Sequence, residues 1–165
     1  MVRNRTPMEG RHDARHEAAH TVAALYFHIP VAYATLTLTG GACRMGTVCE
    51  TYQEELKYIE DHAEDYAVIY MAGKAFERLA GTPPSRIVAV TEADHTCARE
   101  MLQKKTGDPD INSTAINDEL ERATERATHI LADNKKLWDA LTDEIFEKRT
   151  IRWERIRELT INLMR

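Results

Sequence analysis

The sequence has few cysteines and no hydrophobic run long enough to cross a membrane. Its three cysteines cannot all pair within the chain, and without a C-x-x-C motif a cysteine-based zinc site is not expected. The longest apolar stretch, TVAALYFHIPVAYATL, is interrupted by His28 and Pro30 and is too short for a transmembrane helix. No apolar segment follows the charged N-terminus, so we expect no secretory signal and a reducing, cytoplasmic location.

Basic clusters and phosphate-binding loops are missing as well. The net charge is −5, with acidic and basic residues interleaved, which predicts no nucleic-acid surface. The segment MAGKAF lacks both the preceding glycine and the following hydroxyl of G-x-x-x-x-G-K-[ST], so the usual ATPase loop is not predicted. With 165 residues, 43% of them hydrophobic and 30% charged, the chain has the composition of one globular domain with a hydrophobic core.

Hydrophobic spacing predicts a mainly α-helical fold with one small β-hairpin or sheet. Residues 1–8 are expected to form a flexible leader, and residues 9–165 a single domain. A first helix is expected from about Glu9 to Phe27, because apolar residues recur at helical spacing until Pro30 forbids continuation.

Local signals place the remaining elements. Residues 35–39 alternate with period two and precede Gly40-Gly41, which predicts a hairpin. Everything after the hairpin is expected to be helical, including a last short helix, IRWERIREL. Helix ends are expected at Gly81, at Gly107 and at Asp133-Asn134, and the segment SRIVAV is expected to be a connector before the helix TEADHTCAREMLQKK.

The segment ARHEAAHTVAA contains the pattern H-E-x-x-H, formed by His16, Glu17 and His20. Residues four apart lie on one helix face, so both imidazoles can point at one ion, and imidazole nitrogens suit Zn²⁺. Glu17 reaches the same cleft without ligating, where it can accept a proton from a water molecule acidified by zinc. The alternative is a solvated helix face that carries two surface histidines.

A catalytic zinc site needs a third protein ligand. The metzincin extension of the motif is absent, because Ala23 and Tyr26 stand where glycine and histidine would be. The candidates farther along or one turn earlier are His12, Glu64, Glu92 and Asp94. From the residues alone, the choice among them stays open.

Four separated segments resemble the peptidase domain of FtsH-type proteases, in the same order as in that family. They are HEAAHTVAALYFHIPVAYATLTLTGGACRMGTV, IYMAGKAFERLAG, TEADHTCAREM and LADNKKLWDALTDEIFEKRTIRWERIREL. Together they span about residues 12–160. The resemblance implies an FtsH peptidase-domain-like helical fold.

The resemblance also implies a role for each matching site residue. His16, His20 and Asp94 would be the ligands of Zn²⁺, the cofactor, and Glu17 would be the general base. Three positions depart from the family, since Arg15 stands where it often has an aromatic residue, Ala19 replaces its usual glycine and His95 its usual leucine.

Asp94 has a second interpretation. The segment TEAD is close to a capping box, in which Thr91 would be the N-cap and Asp94 the third helical residue. A carboxylate in the first turn of a helix is favoured by the helix dipole whatever its function.

The expected function is that of a zinc-dependent endopeptidase that cleaves unfolded or short peptide substrates. The ATPase module and membrane anchor of the family are not recognised in the sequence, so the expectation is activity without an ATPase of its own. The alternative is a catalytically silent FtsH-like binding or regulatory module. Because FtsH-like peptidase domains form six-membered rings, the resemblance implies a homo-oligomer, with a monomer or dimer left open.

Overall fold

The computed structural model describes residues 6–37 and 40–164. Within these ranges the fold is mainly helical, with one small antiparallel sheet, as the sequence predicts. The elements are α1 (Pro7–Tyr26), β1 (Val31–Leu36), β2 (Gly41–Met45), α2 (Tyr52–Asp61), α3 (Ala63–Leu79), α4 (Pro84–Thr106), α5 (Thr114–Asp133), α6 (Lys135–Lys148), β3 (Thr150–Arg152) and α7 (Trp153–Leu163).

The chain divides into two compact units. The first unit combines the described residues up to Gly46 with those from Ile130 onward, and the second runs from Thr47 to His129. The first unit therefore holds α1, the sheet, α6 and α7, and the second holds α2, α3, α4 and most of α5.

A capping box starts α1. The hydroxyl of Thr6 accepts from the backbone N–H of Glu9, and the Glu9 carboxylate accepts from the backbone N–H of Thr6 at 2.9 Å. The helix thus begins at Pro7, two residues before the predicted start, and of the predicted leader only residues 1–5 lie outside the described residues. Fully buried alanines and Val22 line the helix, which packs against α6 and the sheet.

The sheet has the strand order β2-β1-β3, with both pairs antiparallel. The β1–β2 hairpin is confirmed, although Leu38 and Thr39 of the predicted alternation lie outside the described residues. The prediction that the last helix begins at Ile151 was wrong, because Thr150–Arg152 forms β3. Arg149 ends α6 with φ 65°, and its carbonyl oxygen accepts from the backbone N–H of Leu36 at 2.7 Å.

In the second unit, α3 packs against α4. Met71, Ala72 and Ala75 on α3 are fully buried in this unit. Gly81 and Gly107 follow the two helices with φ 71° and φ 67°, as predicted for helix C-termini. The helix α2 ends at Asp61 and α3 begins at Ala63, so only His62 separates the two helices.

The helix α4 begins at Pro84, seven residues before Thr91, so the predicted connector SRIVAV was wrong. Proline at the first helical position has the backbone angle of a helix already set and has no N–H to leave unsatisfied. Among the described helices, none combines the length and apolar character needed to cross a membrane.

Candidate metal centre and active site

The first unit brings His16, Glu17 and His20 together on α1. His20 is 7% exposed and Glu17 8% exposed, while His16 is half-buried. The two imidazole rings lie 4.9 Å apart between centroids, at an interplanar angle of 62°. The alternative of two surface histidines on a solvated face therefore does not describe this helix.

The two imidazoles are close enough to bind one ion. A ring nitrogen of His16 and one of His20 lie within 4.8 Å of each other. Zinc–nitrogen bonds of 2.0–2.1 Å in a tetrahedral site hold two such atoms about 3.3 Å apart. A small side-chain adjustment is enough to reach that spacing, so the pair fits a zinc ion.

Contacts with α6 hold the turn of α1 that precedes His16. The indole Nε1 of Trp138 donates to the carbonyl oxygen of Arg15 at 3.0 Å, and the Arg15 guanidinium lies 4.1 Å from the centroid of the same indole. Arg15 also forms a 2.9 Å ion pair with Asp139. These contacts fix both the backbone and the side chain of the residue next to the first histidine.

The carboxylate of Glu17 lies against β2. A Cβ atom added to Gly41 would stand 2.6 Å from Oε1 and 2.7 Å from Cδ of Glu17, closer than real side-chain contacts. The sequence predicted only a turn at Gly40-Gly41 and did not assign this role. The one signal in the sequence was the glycine itself, because a glycine within a strand often marks a place where another group approaches the backbone closely.

One helical turn later, α1 contacts β2 again. Thr21 is fully buried, its hydroxyl donates to the carbonyl oxygen of Glu17 at 2.9 Å, and its Oγ1 lies 3.4 Å from Sγ of Cys43. The contacts at Gly41 and at Cys43 show that α1 follows the strand. Because β2 is the terminal strand of the sheet that the described residues form, Glu17 lies over the face of an edge strand.

Asp94 lies in the second unit, half-buried near the middle of α4. The capping interpretation was wrong, because Thr91 is fully buried within the helix and its hydroxyl donates to the carbonyl oxygen of Ile87 at 2.8 Å. Of the other third-ligand candidates, Glu64 forms an ion pair with Lys105, and Glu92 is exposed.

Two side chains near Asp94 in its own unit, Tyr70 and His95, have strongly shifted pKa values. Burial is the main reason that the pKa of Tyr70 is raised to about 12, and the neighbouring Cys97, Asp94 and Glu100 contribute to this increase. Burial also lowers the pKa of His95 to about 4, helped by Lys74 and Arg99. At neutral pH the phenol of Tyr70 is therefore protonated and the imidazole of His95 is uncharged; neither property was predicted from the sequence.

The chain was also compared with known proteins. The relation to FtsH-type peptidases has no support from these comparisons and stays a prediction from the residues quoted above. No protein-family model matches the chain, and no curated protein matches it.

Proposed function

We propose that this protein is a zinc-dependent endopeptidase that cleaves unfolded or short peptide substrates. The observation that carries the proposal is the pair His16 and His20, with a nitrogen of each ring within 4.8 Å, next to a buried Glu17 that lies against β2, a terminal strand of the described sheet. A helix that served only for packing would have no reason to bury a carboxylate and an imidazole one turn apart.

Zinc would be held by His16, His20 and Asp94. Two imidazoles and one carboxylate form a ligand set that could hold a metal ion. The same number of protein ligands is typical of catalytic zinc sites, which leave one position open. Asp94 enters this set on the sequence resemblance and on its half-buried position in α4.

Glu17 is the general base in this proposal. Zinc, when bound, supplies a Lewis acid that polarises a carbonyl and acidifies water. Glu17 takes the proton from the attacking water and later gives it to the leaving amine of the peptide. Its burial to 8% exposure excludes bulk water from the carboxylate, which strengthens its interactions with a reacting group.

The substrate would lie extended along β2. This strand has an open edge in the described sheet, and a peptide can add to such an edge by main-chain hydrogen bonds. A peptide in that position would pass the Glu17 carboxylate where it contacts Gly41.

The test combines metal analysis with cleavage of an unstructured protein such as casein, without ATP. The purified protein should hold one zinc per chain, lose activity with a chelator and regain it with zinc. The variant Glu17→Gln should bind zinc and melt like the parent but cleave at least about a hundredfold more slowly, because general-base removal costs about 10²–10⁴-fold.

Glu60→Gln on α2 is the matched control, since Glu60 is exposed and lies in the other unit. It should leave both zinc content and cleavage unchanged. Retention of full activity in Glu17→Gln would refute the mechanism. A parent that holds zinc but cleaves no unfolded substrate would instead favour a binding or regulatory module.

A further inference from the structure

The face of the sheet that points away from α1 carries two arginines. Arg44 on β2 pairs with Tyr33 on β1, and Tyr33 pairs in turn with Arg152 on β3. Residues directly opposite each other in an antiparallel pair have their side chains on the same face, so these three form one row across the sheet. Both arginines are exposed and Tyr33 is half-buried.

Acidic residues are absent from the described positions of this face. The neighbouring row consists of Ala42, Thr35 and Thr150, all uncharged. Neither Arg44 nor Arg152 forms an ion pair with any residue in the ranges 6–37 and 40–164. The row therefore presents positive charge that no carboxylate of the described chain neutralises.

Alternation along β2 relates this row to Glu17. Gly41 and Cys43 face α1, where they contact Glu17 and Thr21. Arg44 is the third residue after Gly41 and points to the opposite face. A peptide paired with β2 would thus meet Glu17 near Gly41 and Arg44 three positions farther along the strand.

We propose that the edge of β2 selects extended peptides that carry an aspartate or glutamate beside Arg44. The proposal rests on the proposed peptidase function, and it names the substrate class of that site. A strand added to β2 extends the row by one residue, and that residue's side chain lies next to Arg44. A carboxylate there forms a charge-assisted pair with the guanidinium, which can accept it with two parallel hydrogen bonds.

The register gives the position of the acidic residue. Cleavage takes place near the peptide residue that pairs with Gly41, because Glu17 lies there. The acidic residue is therefore about three positions away, on the side that faces Arg44. Only one side of the scissile bond should show the preference, and the side observed reveals whether the peptide runs parallel or antiparallel to β2.

The experiment measures binding and cleavage separately. Fluorescent peptides that differ only by Glu, Gln or Lys at one scanned position are titrated, in the presence of zinc, into the Glu17→Gln protein, which holds them without cleaving. At one position the Glu peptide should bind about two- to fivefold more tightly than the Gln peptide, the range measured for exposed ion pairs. The preference should weaken at high salt.

Charge reversal at Arg44 is the decisive variant. In Arg44→Glu, added to the same protein, the Lys peptide should become the tighter ligand at that position. Arg157→Glu on α7 makes the same change in net charge at another exposed site and should leave the preference for Glu intact. Circular dichroism and melting should show that both variants fold, because both arginines are exposed.

The outcomes separate this inference from the proposed function. Equal binding of the Glu, Gln and Lys peptides at every position, or an unchanged preference in Arg44→Glu, would overturn the selectivity. Cleavage of the same peptides by the parent without any charge preference would overturn it while supporting the peptidase. Binding that follows the charge rule, with no cleavage by the parent, would support the edge and count against the catalytic proposal alone.

Discussion

The side chain of Glu17 lies so close to Gly41 that a Cβ atom at that point of β2 would force Glu17 to move. We predict that Gly41→Ala keeps its zinc but loses about a hundredfold in kcat/KM on casein, because the carboxylate must move away from its present place by roughly 1 Å. Steady-state kinetics and metal analysis of the purified variant measure the two effects.

A double-mutant cycle, measured as free energy of unfolding, shows whether the added methyl group meets the Glu17 side chain. Glu17→Ala removes the atoms that the new methyl group would meet, so Gly41→Ala should be less destabilising in that background, by about 0.5–3 kcal/mol. Gly46→Ala is the matched control, since its Cβ would stand 3.4 Å from Pro30, an ordinary contact. If Gly41→Ala lowers the free energy of unfolding equally in the parent and in Glu17→Ala, the contact with Glu17 is not the cause of the destabilisation.

Removal of a zinc ligand should remove the metal. His16→Ala and Asp94→Ala should each be purified with well under one zinc per chain, because two remaining ligands hold zinc poorly. Glu92→Ala changes an exposed carboxylate two residues from Asp94 and should retain one zinc. Mass-spectrometric metal analysis is the measurement, and full zinc content in Asp94→Ala would exclude Asp94 as a ligand.

Trp138 should contribute to the stability of the first unit through one hydrogen bond. Trp138→Phe keeps an aromatic ring but leaves the carbonyl oxygen of Arg15 without the indole N–H, so we expect a loss of about 1–2 kcal/mol in the free energy of unfolding. Trp153→Phe, at a position that is 37% exposed, should cost less. Urea unfolding compares the two, and a cost of Trp138→Phe no larger than that of Trp153→Phe would contradict the predicted contribution.

Glu121 should make the stability of the second unit depend on pH under acidic conditions. Arg78 and Lys74 lower the pKa of Glu121 in the folded protein to about 2 from an ordinary value of 4.5. A lowered pKa stabilises the folded state above pH 4.5, and this contribution is lost as the pH falls from 4.5 towards 2.

The variant Glu121→Gln lacks that contribution at any pH. It should melt below the parent at pH 7, and the difference should shrink as the pH falls through this range. Glu125→Gln, an exposed change on the same helix, should follow the parent throughout. A constant difference between parent and Glu121→Gln from pH 7 to pH 2 would contradict the assignment.

Local signals were enough to predict the elements that depend on neighbouring residues. The helix that carries His16 and His20, the hairpin and the helix ends at Gly81 and Gly107 were all predicted from short patterns. In each case the physical cause, such as apolar spacing or a left-handed glycine, lies within a few residues of the feature.

Features that depend on distant partners were missed. The strand β3 has only three residues and exists because it pairs with β1, where Thr35 and Thr150 bring their hydroxyls within 2.6 Å across 115 positions of sequence. The close approach of Glu17 to Gly41 likewise joins two elements, and no short pattern reports it. The start of α4 was misplaced for another reason, because the capping pattern at Thr91 obscured the proline signal at Pro84.

The arrangement of the first unit has a consequence for biosynthesis. The helix α1 packs on α6, and β1 pairs with β3, yet the whole second unit is encoded between them. During translation the second unit can fold as soon as it emerges, since domains generally fold as units in order of synthesis. The helix with His16 and Glu17 must wait for residues 135–152, so a cleavage site built on it would be completed only after most of the chain has left the ribosome.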